Sequence, residues 1–298
     1  MGLLRDQGLV AIEVGLNETA DKSRNPHVPY GPDEVAESAI AAGRAGAAVV
    51  HFHARTDDGA QAWIAHDIYR DAMSAIADAG SDLLTYPTYL AGDLSHLWAL
   101  VEDPPRGPGL RFGPFDVVQH VKRVQWNHET GRIEGMTVLG GDHSAAADPP
   151  VLHRFRDHGL TPSIGAFELG DLRWAVLAAR CGLLDTPLCL KIFMNDTWVR
   201  GPAADLAGLD AFLSQVPEDI PSEVTVVPYE MADADRCWEL LEGALERGHH
   251  VRVGIGDNPG AFPGATNAEL VEQAVALAGK HGLSPASPGQ VLSAFSRA

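Results

Sequence analysis

Eight times along this chain a short β-branched run is followed by a longer Ala/Leu/Glu-rich segment, and this alternation restricts its folds more than any other feature. The runs are GLVAIEVG (8–15), AAVVHFHAR (47–55), DLLTYPTYL (82–90), FDVVQHVKRVQW (115–126), TPSIGAFELG (161–170), PLCLKIFMN (187–195), EVTVVPYE (223–230) and HHVRVGIGD (249–257). The segments between them carry helix punctuation. GPDEVAESAIAAGRAG (31–46) has Pro32 and acidic residues in its first turn and a glycine at its end. Eight β/α units in 298 residues predict an α/β fold, a closed (β/α)8 TIM barrel. The rival, an open doubly wound sheet, would carry a phosphate-binding glycine fingerprint after its first strand, and VGLNETA is not one. No shift in composition marks a linker. One barrel domain over 1–298 is expected, with SPGQVLSAF (287–295) as a short C-terminal helical extension.

Charge narrows the partners. With 22 Lys and Arg against 40 Asp and Glu, the net charge is −18, and no basic run interrupts it. Nucleic acid and anionic membrane surfaces would be repelled. Three cysteines without a C-x-x-C pair argue for a reducing compartment. The start MGLLRDQGLV has no signal-peptide core, and no apolar stretch is long enough to span a bilayer. A cytoplasmic protein is expected.

A barrel of this kind does its chemistry at the C-terminal strand ends. The second strand ends in His51, His53 and Arg55. Residues at i and i+2 on a strand share a face. A lone histidine is ordinarily a satisfied core or surface residue, but two in register at the functional end point to a metal such as zinc. Asn17 and Glu18 after the first strand are candidate substrate contacts, as is Thr88 after the third. The fourth offers Gln119, His120 and Gln125, the fifth Glu168, the sixth Lys191 or Asn195, and the seventh Tyr229 and Glu230. On the eighth, Arg252 needs a partner if buried, and Asp257 can supply one. Tyr86, Tyr89 and Trp126 hint at a pocket for an apolar tail, though core packing explains aromatics equally well.

Two blocks carry a family resemblance. NPHVPYGPDEVAESAIAAGRAGAAVVHFHARTDDG (25–59) holds a Pro-x-x-Pro segment, a helix and the pattern AGA-x-x-x-H-x-H-x-R-x-x-x-G. GHHVRVGIGDNP (248–259) followed by TNAELVEQA (266–274) is the second block. Together they resemble the β-keto acid cleavage enzymes. The resemblance implies a zinc-binding barrel, often a homotetramer, that exchanges acyl groups between a β-keto acid and acetyl-CoA, giving acetoacetate and a new CoA thioester. It implies zinc bound partly by His51 and His53, polarising the keto acid as a Lewis acid. It also implies that Arg252 and Asp257 assist deprotonation of the CH2 between the carbonyls, with Arg252 keeping Asp257 ionised.

Other positions depart from the family pattern. Its third zinc ligand, a glutamate on strand eight, falls at Gly256, its strand-five carboxylate at Gly165, its strand-three serine at Pro87, and its strand-one acidic residue at Asn17. A migrated ligand is therefore expected. Glu230 ends the neighbouring strand, and adjacent strands lie about 4.8 Å apart, so its side chain could pass through the space that glycine leaves at 256. The competing expectation is that Glu230 caps the following helix. Metal is thus assigned to His51, His53 and Glu230, catalysis to Arg252 and Asp257, and substrate binding to Asn17, Arg55, Thr88 and Glu168. Two alternatives remain: a CoA-independent metal-dependent lyase, hydrolase or dehydratase on a small carboxylate, and a non-catalytic barrel that binds a small acid.

Overall fold

The computed structural model of the chain describes residues 4–88, 94–117, 124–135, 137–138, 141–142, 149–198 and 201–295. Eight parallel strands form one sheet that curls nearly closed into a (β/α)8 barrel. They are β1 (Ile12–Gly15), β2 (Val49–Phe52), β3 (Leu84–Pro87), β4 (Phe112–Asp116), β5 (Thr161–Ala166), β6 (Leu188–Met194), β7 (Ser222–Pro228) and β8 (His250–Val253). The ladder runs β3-β2-β1-β8-β7-β6-β5-β4, every neighbouring pair parallel. The seam lies between β3 and β4, which touch without a ladder.

Nine helices lie among the described residues: α1 (Gly31–Ala45), α2 (His66–Asp78), α3 (Ser95–Glu102), α4 (Pro150–Asp157), α5 (Leu169–Arg180), α6 (Leu206–Leu213), α7 (Ala234–Glu246), α8 (Asn267–Lys280) and α9 (Pro288–Ala294). Their ends follow local chemistry. Capping boxes start α8 (Thr266 with Glu269) and α9 (Ser287 with Gln290), satisfying orphan N–H groups at each N-terminus. No helix among the described residues is long and apolar enough to cross a membrane.

The fourth strand corrects the sequence reading. It starts at Phe112, ahead of the β-branched run that was expected to hold it, and contains Gly113 and Pro114. Both residues ordinarily break a strand. Here β4 borders the seam and is paired on one side only, against β5, so a proline without N–H is tolerated. Gly113 leaves space for Phe155 of α4, whose ring lies 2.7 Å from where a methyl group would sit. Val124–Asn127 instead pairs with Arg132–Gly135 as an antiparallel hairpin between β4 and α4. Gln119, His120 and Tyr89 lie outside the described residues.

The opposite end of the barrel is plugged. Leu9–Val10 pairs with Ser284–Pro285, and Leu4, Phe112, Val291 and Ala294 pack together beneath the strand starts. With that end closed, access to the barrel interior is from the C-terminal strand ends.

Candidate functional site

The C-terminal strand ends surround a cavity of about 340 Å³. β2 projects His51 into it, and His53 follows on the same face just past the strand end. Both are buried. Glu18, in the turn after β1, meets them: its carboxylate oxygens lie 3.2 Å from His51 Nε2 and 2.8 Å from His53 Nε2. Among the described residues, Glu18, His51 and His53 are the cluster whose donor atoms converge as a metal site requires, all within 4.8 Å of one another. Tyr86 of β3 stacks on His51 at 4.6 Å, and Trp63 leans on His53 at 4.8 Å, fixing both rings.

Glu18 reaches the cavity because the backbone there adopts an unusual shape. Its φ is +34°, in the left-handed region that a side-chain-bearing residue seldom enters. Such strain persists where the surroundings impose it. Arg55 and Gln61 each donate a hydrogen bond to the Glu18 carbonyl at 2.7 Å. Gly256 completes the fit, since a methyl group there would lie 2.5 Å from the Asn17 backbone nitrogen. The space at Gly256 is therefore filled by the backbone of the β1 turn, which carries Glu18 inward, and not by a side chain from β7.

Beneath this cluster lies a buried ionic network. Arg252 of β8 donates to both carboxylate oxygens of Asp257, at 3.0 and 2.6 Å, to Glu13 at 3.1 Å, and to Glu18. Glu13 also accepts from Lys191 at 2.7 Å and from the Tyr86 hydroxyl at 2.6 Å. Gly15 makes room for the Arg252–Asp257 pair, because a methyl group there would lie 2.5 Å from each.

Protonation follows from burial and neighbours. Burial works to raise the Glu13 carboxyl, but Lys191 and Arg252 overcome it and bring it down to about 2. Glu18 is likewise held well below the ordinary range, burial being outweighed by His53, His51 and Arg252. Burial lowers His51 to about 3, so its ring is neutral at ordinary pH, as a metal ligand must be. Asp257 goes the other way from expectation. Burial, reinforced by Glu18 and Glu13, outweighs Arg252 and raises it to about 7.

The structure sorts the residues expected to bind substrate. Thr88 lines the cavity. Asn17 has no amide group to spare: it donates to the carbonyls of Pro29 (3.1 Å) and His53 (3.0 Å) and accepts the His53 N–H (2.8 Å). It clamps the β1 turn to the end of β2. Arg55 is buried and supports the Glu18 backbone. Glu168 sits at the N-cap of α5, where the Asp171 side chain accepts its N–H at 3.0 Å. Its place is at the helix start and not on the cavity wall. Arg252 faces the cavity, with Asp257 fully buried behind it.

Glu230 lines the same cavity but stands outside the metal-type cluster. Its carboxylate accepts the Trp198 indole N–H at 2.8 Å. It does not cap α7 either, since Asp233 does that by accepting from Asp235 and Arg236. The residue that sequence reasoning undervalued is Glu18, named only as a possible substrate contact. Gly256 held the signal, for a missing side chain on β8 leaves space for the adjoining turn of β1. Phe167, Phe193 and Trp198, which form an aromatic wall with the expected Tyr229, were missed, whereas Trp126 lies on the hairpin and does not line the cavity.

The fold and this strand-end site define a (β/α)8-barrel enzyme. The family model for the beta-keto acid cleavage enzyme matches residues 10–295. The 3-dehydrocarnitine:acetyl-CoA trimethylamine transferase of Rhizobium meliloti (strain 1021) is 30% identical over 98% of this chain and 96% of its own. The 3-keto-5-aminohexanoate cleavage enzyme of Fusobacterium nucleatum is 27% identical over 90% of each. Among solved structures, the ternary complex of ObcA with C4-CoA adduct and oxalate shares the fold, with a TM-score of 0.64, 17% identity, and coverage of 91% of this chain and 67% of that one. The chain belongs to the β-keto acid cleavage enzyme family, enzymes of the C–C lyase or acyltransferase type.

Proposed function

We propose that the protein transfers an acyl group from a β-keto acid to CoA. R–CO–CH2–COO⁻ and acetyl-CoA give acetoacetate and R–CO–SCoA, so the bond between the R-bearing carbonyl and the CH2 breaks as a bond from the CH2 to the acetyl carbonyl forms. The name of the Rhizobium relative supports acetyl-CoA as the co-substrate. The observation that carries the reading is the convergence of Glu18, His51 and His53 beside Arg252 at the catalytic end of the barrel.

Two imidazoles and a carboxylate fit a divalent ion such as zinc. The Nδ1 atoms of both histidines are buried without a hydrogen-bond partner, which suits a site adapted to a further group. His51, His53 and Glu18 would hold the ion, with Glu18 taking the role that sequence reasoning gave to Glu230. A bound ion supplies Lewis-acid polarisation of the substrate carbonyl. Arg252, bound to Asp257, Glu13 and Glu18, holds those carboxylates in place at the cavity wall. Asp257, raised to about 7, holds the proton released from the CH2 behind that guanidinium. The three thiols are free, in keeping with a reducing cytoplasmic compartment.

The test incubates the purified protein, loaded with zinc, with labelled acetyl-CoA and a panel of β-keto acids. Labelled acetoacetate is the expected product. Acid consumption that proceeds equally well without acetyl-CoA would support the CoA-independent alternative instead.

A further inference from the structure

Alternate residues of a strand share a face, and on β6 Cys189, Lys191 and Phe193 turn into the barrel. Lys191 is buried between two spaces. Above it is the strand-end cavity, and beneath it a chamber of about 20 Å³, room for one water and for no substrate. Burying a lysine there carries a desolvation penalty, and a buried ion pair is a weak source of stability.

Among the described residues that line the cavity, Arg252 and Lys191 are the two cations, and their donors are used unequally. A guanidinium has five N–H groups. Those of Arg252 meet both oxygens of Asp257, one of Glu13, one of Glu18 and the Tyr86 hydroxyl. An ammonium has three N–H groups. Those of Lys191 meet two acceptors, Glu13 Oε1 at 2.7 Å and the Tyr86 hydroxyl, and the described residues offer no third. Glu13 Oε1 is itself shared, since it also accepts from Tyr86 at 2.6 Å and from Arg252 at 3.1 Å. Arg252 has no donor left, whereas Lys191 keeps one N–H and part of its charge.

The lysine stands close to the metal-type cluster. Its Nζ lies 4.0 Å from the centre of the Tyr86 ring, and that ring stacks on His51 at 4.6 Å. In a β-keto acid a single CH2 separates the carboxylate from the keto carbonyl, so the two groups reach neighbouring positions on a cavity floor. We propose that Lys191 binds the carboxylate of the β-keto acid through its third N–H, with Glu13 and Tyr86 holding the ammonium in place. The acid then enters carboxylate first, with its R group towards the cavity mouth. This rests on the acyl-transfer reading above and adds the cation that orients the acid.

The test titrates the zinc-loaded protein with acetoacetate, a product in that reading, and with its neutral ester, methyl acetoacetate. Isothermal titration should show acetoacetate preferred, and Lys191→Met should lower that preference at least about tenfold, the scale of one charge-assisted hydrogen bond. Lys191→Gln, which keeps an N–H without the charge, should fall between. KM for the β-keto acid should rise by a similar factor, with metal content and acetyl-CoA KM unmoved. An unchanged preference in Lys191→Met, a loss equal for acid and ester, or no acetoacetate binding to the unaltered protein overturns the proposal. Should the variants not fold, the unaltered protein decides. It has four lysines, at 22, 122, 191 and 280, and carbon-13 labelling of Cε reads them separately, assigned with Lys22→Arg, Lys122→Arg and Lys280→Arg. A Lys191 signal moved by acetoacetate and not by the ester supports the proposal, and one that neither moves, or both move alike, overturns it. Turnover with an unchanged acid KM in Lys191→Met overturns it and leaves acyl transfer standing. If no β-keto acid reacts with acetyl-CoA, the acyl-transfer reading fails, and the acetoacetate titration decides the lysine separately.

Discussion

The barrel holds a histidine–carboxylate cluster at each end, and the two differ in what they leave unsatisfied. At the strand starts, His250 Nδ1 accepts the Ala11 N–H at 3.2 Å, and its Nε2 meets Glu223 at 2.7 Å. The other Glu223 oxygen accepts the Leu4 N–H at 3.0 Å. Every ring nitrogen and carboxylate oxygen is used, and the cluster ties the N-terminal segment to β7 and β8. At the strand ends, the same residue types surround a cavity, two imidazole nitrogens have no partner, and the backbone at Glu18 is strained. Buried polar groups closed on one another specify structure, while groups kept open and held by strain await a ligand. Residue type alone does not separate these roles.

The largest effects should come from dismantling the open cluster. Replacing His51 and His53 together by alanine, or Glu18 by glutamine, should abolish stoichiometric metal binding in elemental analysis of the purified protein and reduce turnover to background. Glu230→Gln should retain the metal. Metal loss in Glu230→Gln with full retention in Glu18→Gln would reinstate the β7 ligand and break the comparison. The closed cluster should answer oppositely. Glu223→Ala leaves His250 and the Leu4 N–H unpaired, and removing one partner of a buried pair costs about 3–5 kcal/mol. Urea unfolding should show that loss with metal content unchanged.

Asp257→Asn tests the network behind the cavity. Metal should remain, and turnover should fall by about 10²-fold, the scale of a lost acid–base group. The smallest effect is a titration. In chelator-treated protein, Asp257 should titrate at about 7, read by carbon-13 NMR of its carboxyl, and added metal should move it down because a nearby cation favours the anion. Between the ordinary carboxylate range and 7 the folded protein holds a proton that the unfolded chain has released. This group's contribution to stability therefore falls as pH rises through that window. A value near 4 in the metal-free protein would show that Arg252 dominates after all.

Much of this architecture is legible one residue at a time. Parallel strands buried on both faces require the β-branched runs, and caps such as Thr266 with Glu269 are local signals. His51 and His53 share a face because a strand repeats every two residues. The pairing of Arg252 with Asp257 follows from the need of a buried charge for a partner. β4 starts ahead of the β-branched run from Phe115 that the sequence points to, because the seam leaves an edge on which Gly113 and Pro114 are tolerated. Asn17 and Glu168 were read as substrate contacts because they end strands, but each is committed to local structure, one as a clamp and one at a helix cap.

The sequence by itself determined the eightfold alternation, the barrel, and the two histidines and Arg–Asp pair at its catalytic end, because all of these rest on short-range periodicity and charge. The convergence of Glu18 on the two histidines, the aromatic wall and the proton affinity of Asp257 were decided only by tertiary structure. Glu18 is 33 residues from His51 in sequence, and it enters the site because Gly256, just past the end of the neighbouring strand β8, yields its space to the turn after β1. Phe167, Phe193, Trp198 and Tyr229 come from three strand ends and share no periodicity. Asp257 titrates high because burial and two carboxylates from β1 and its turn outweigh the arginine beside it, and that balance exists only once those groups are packed together.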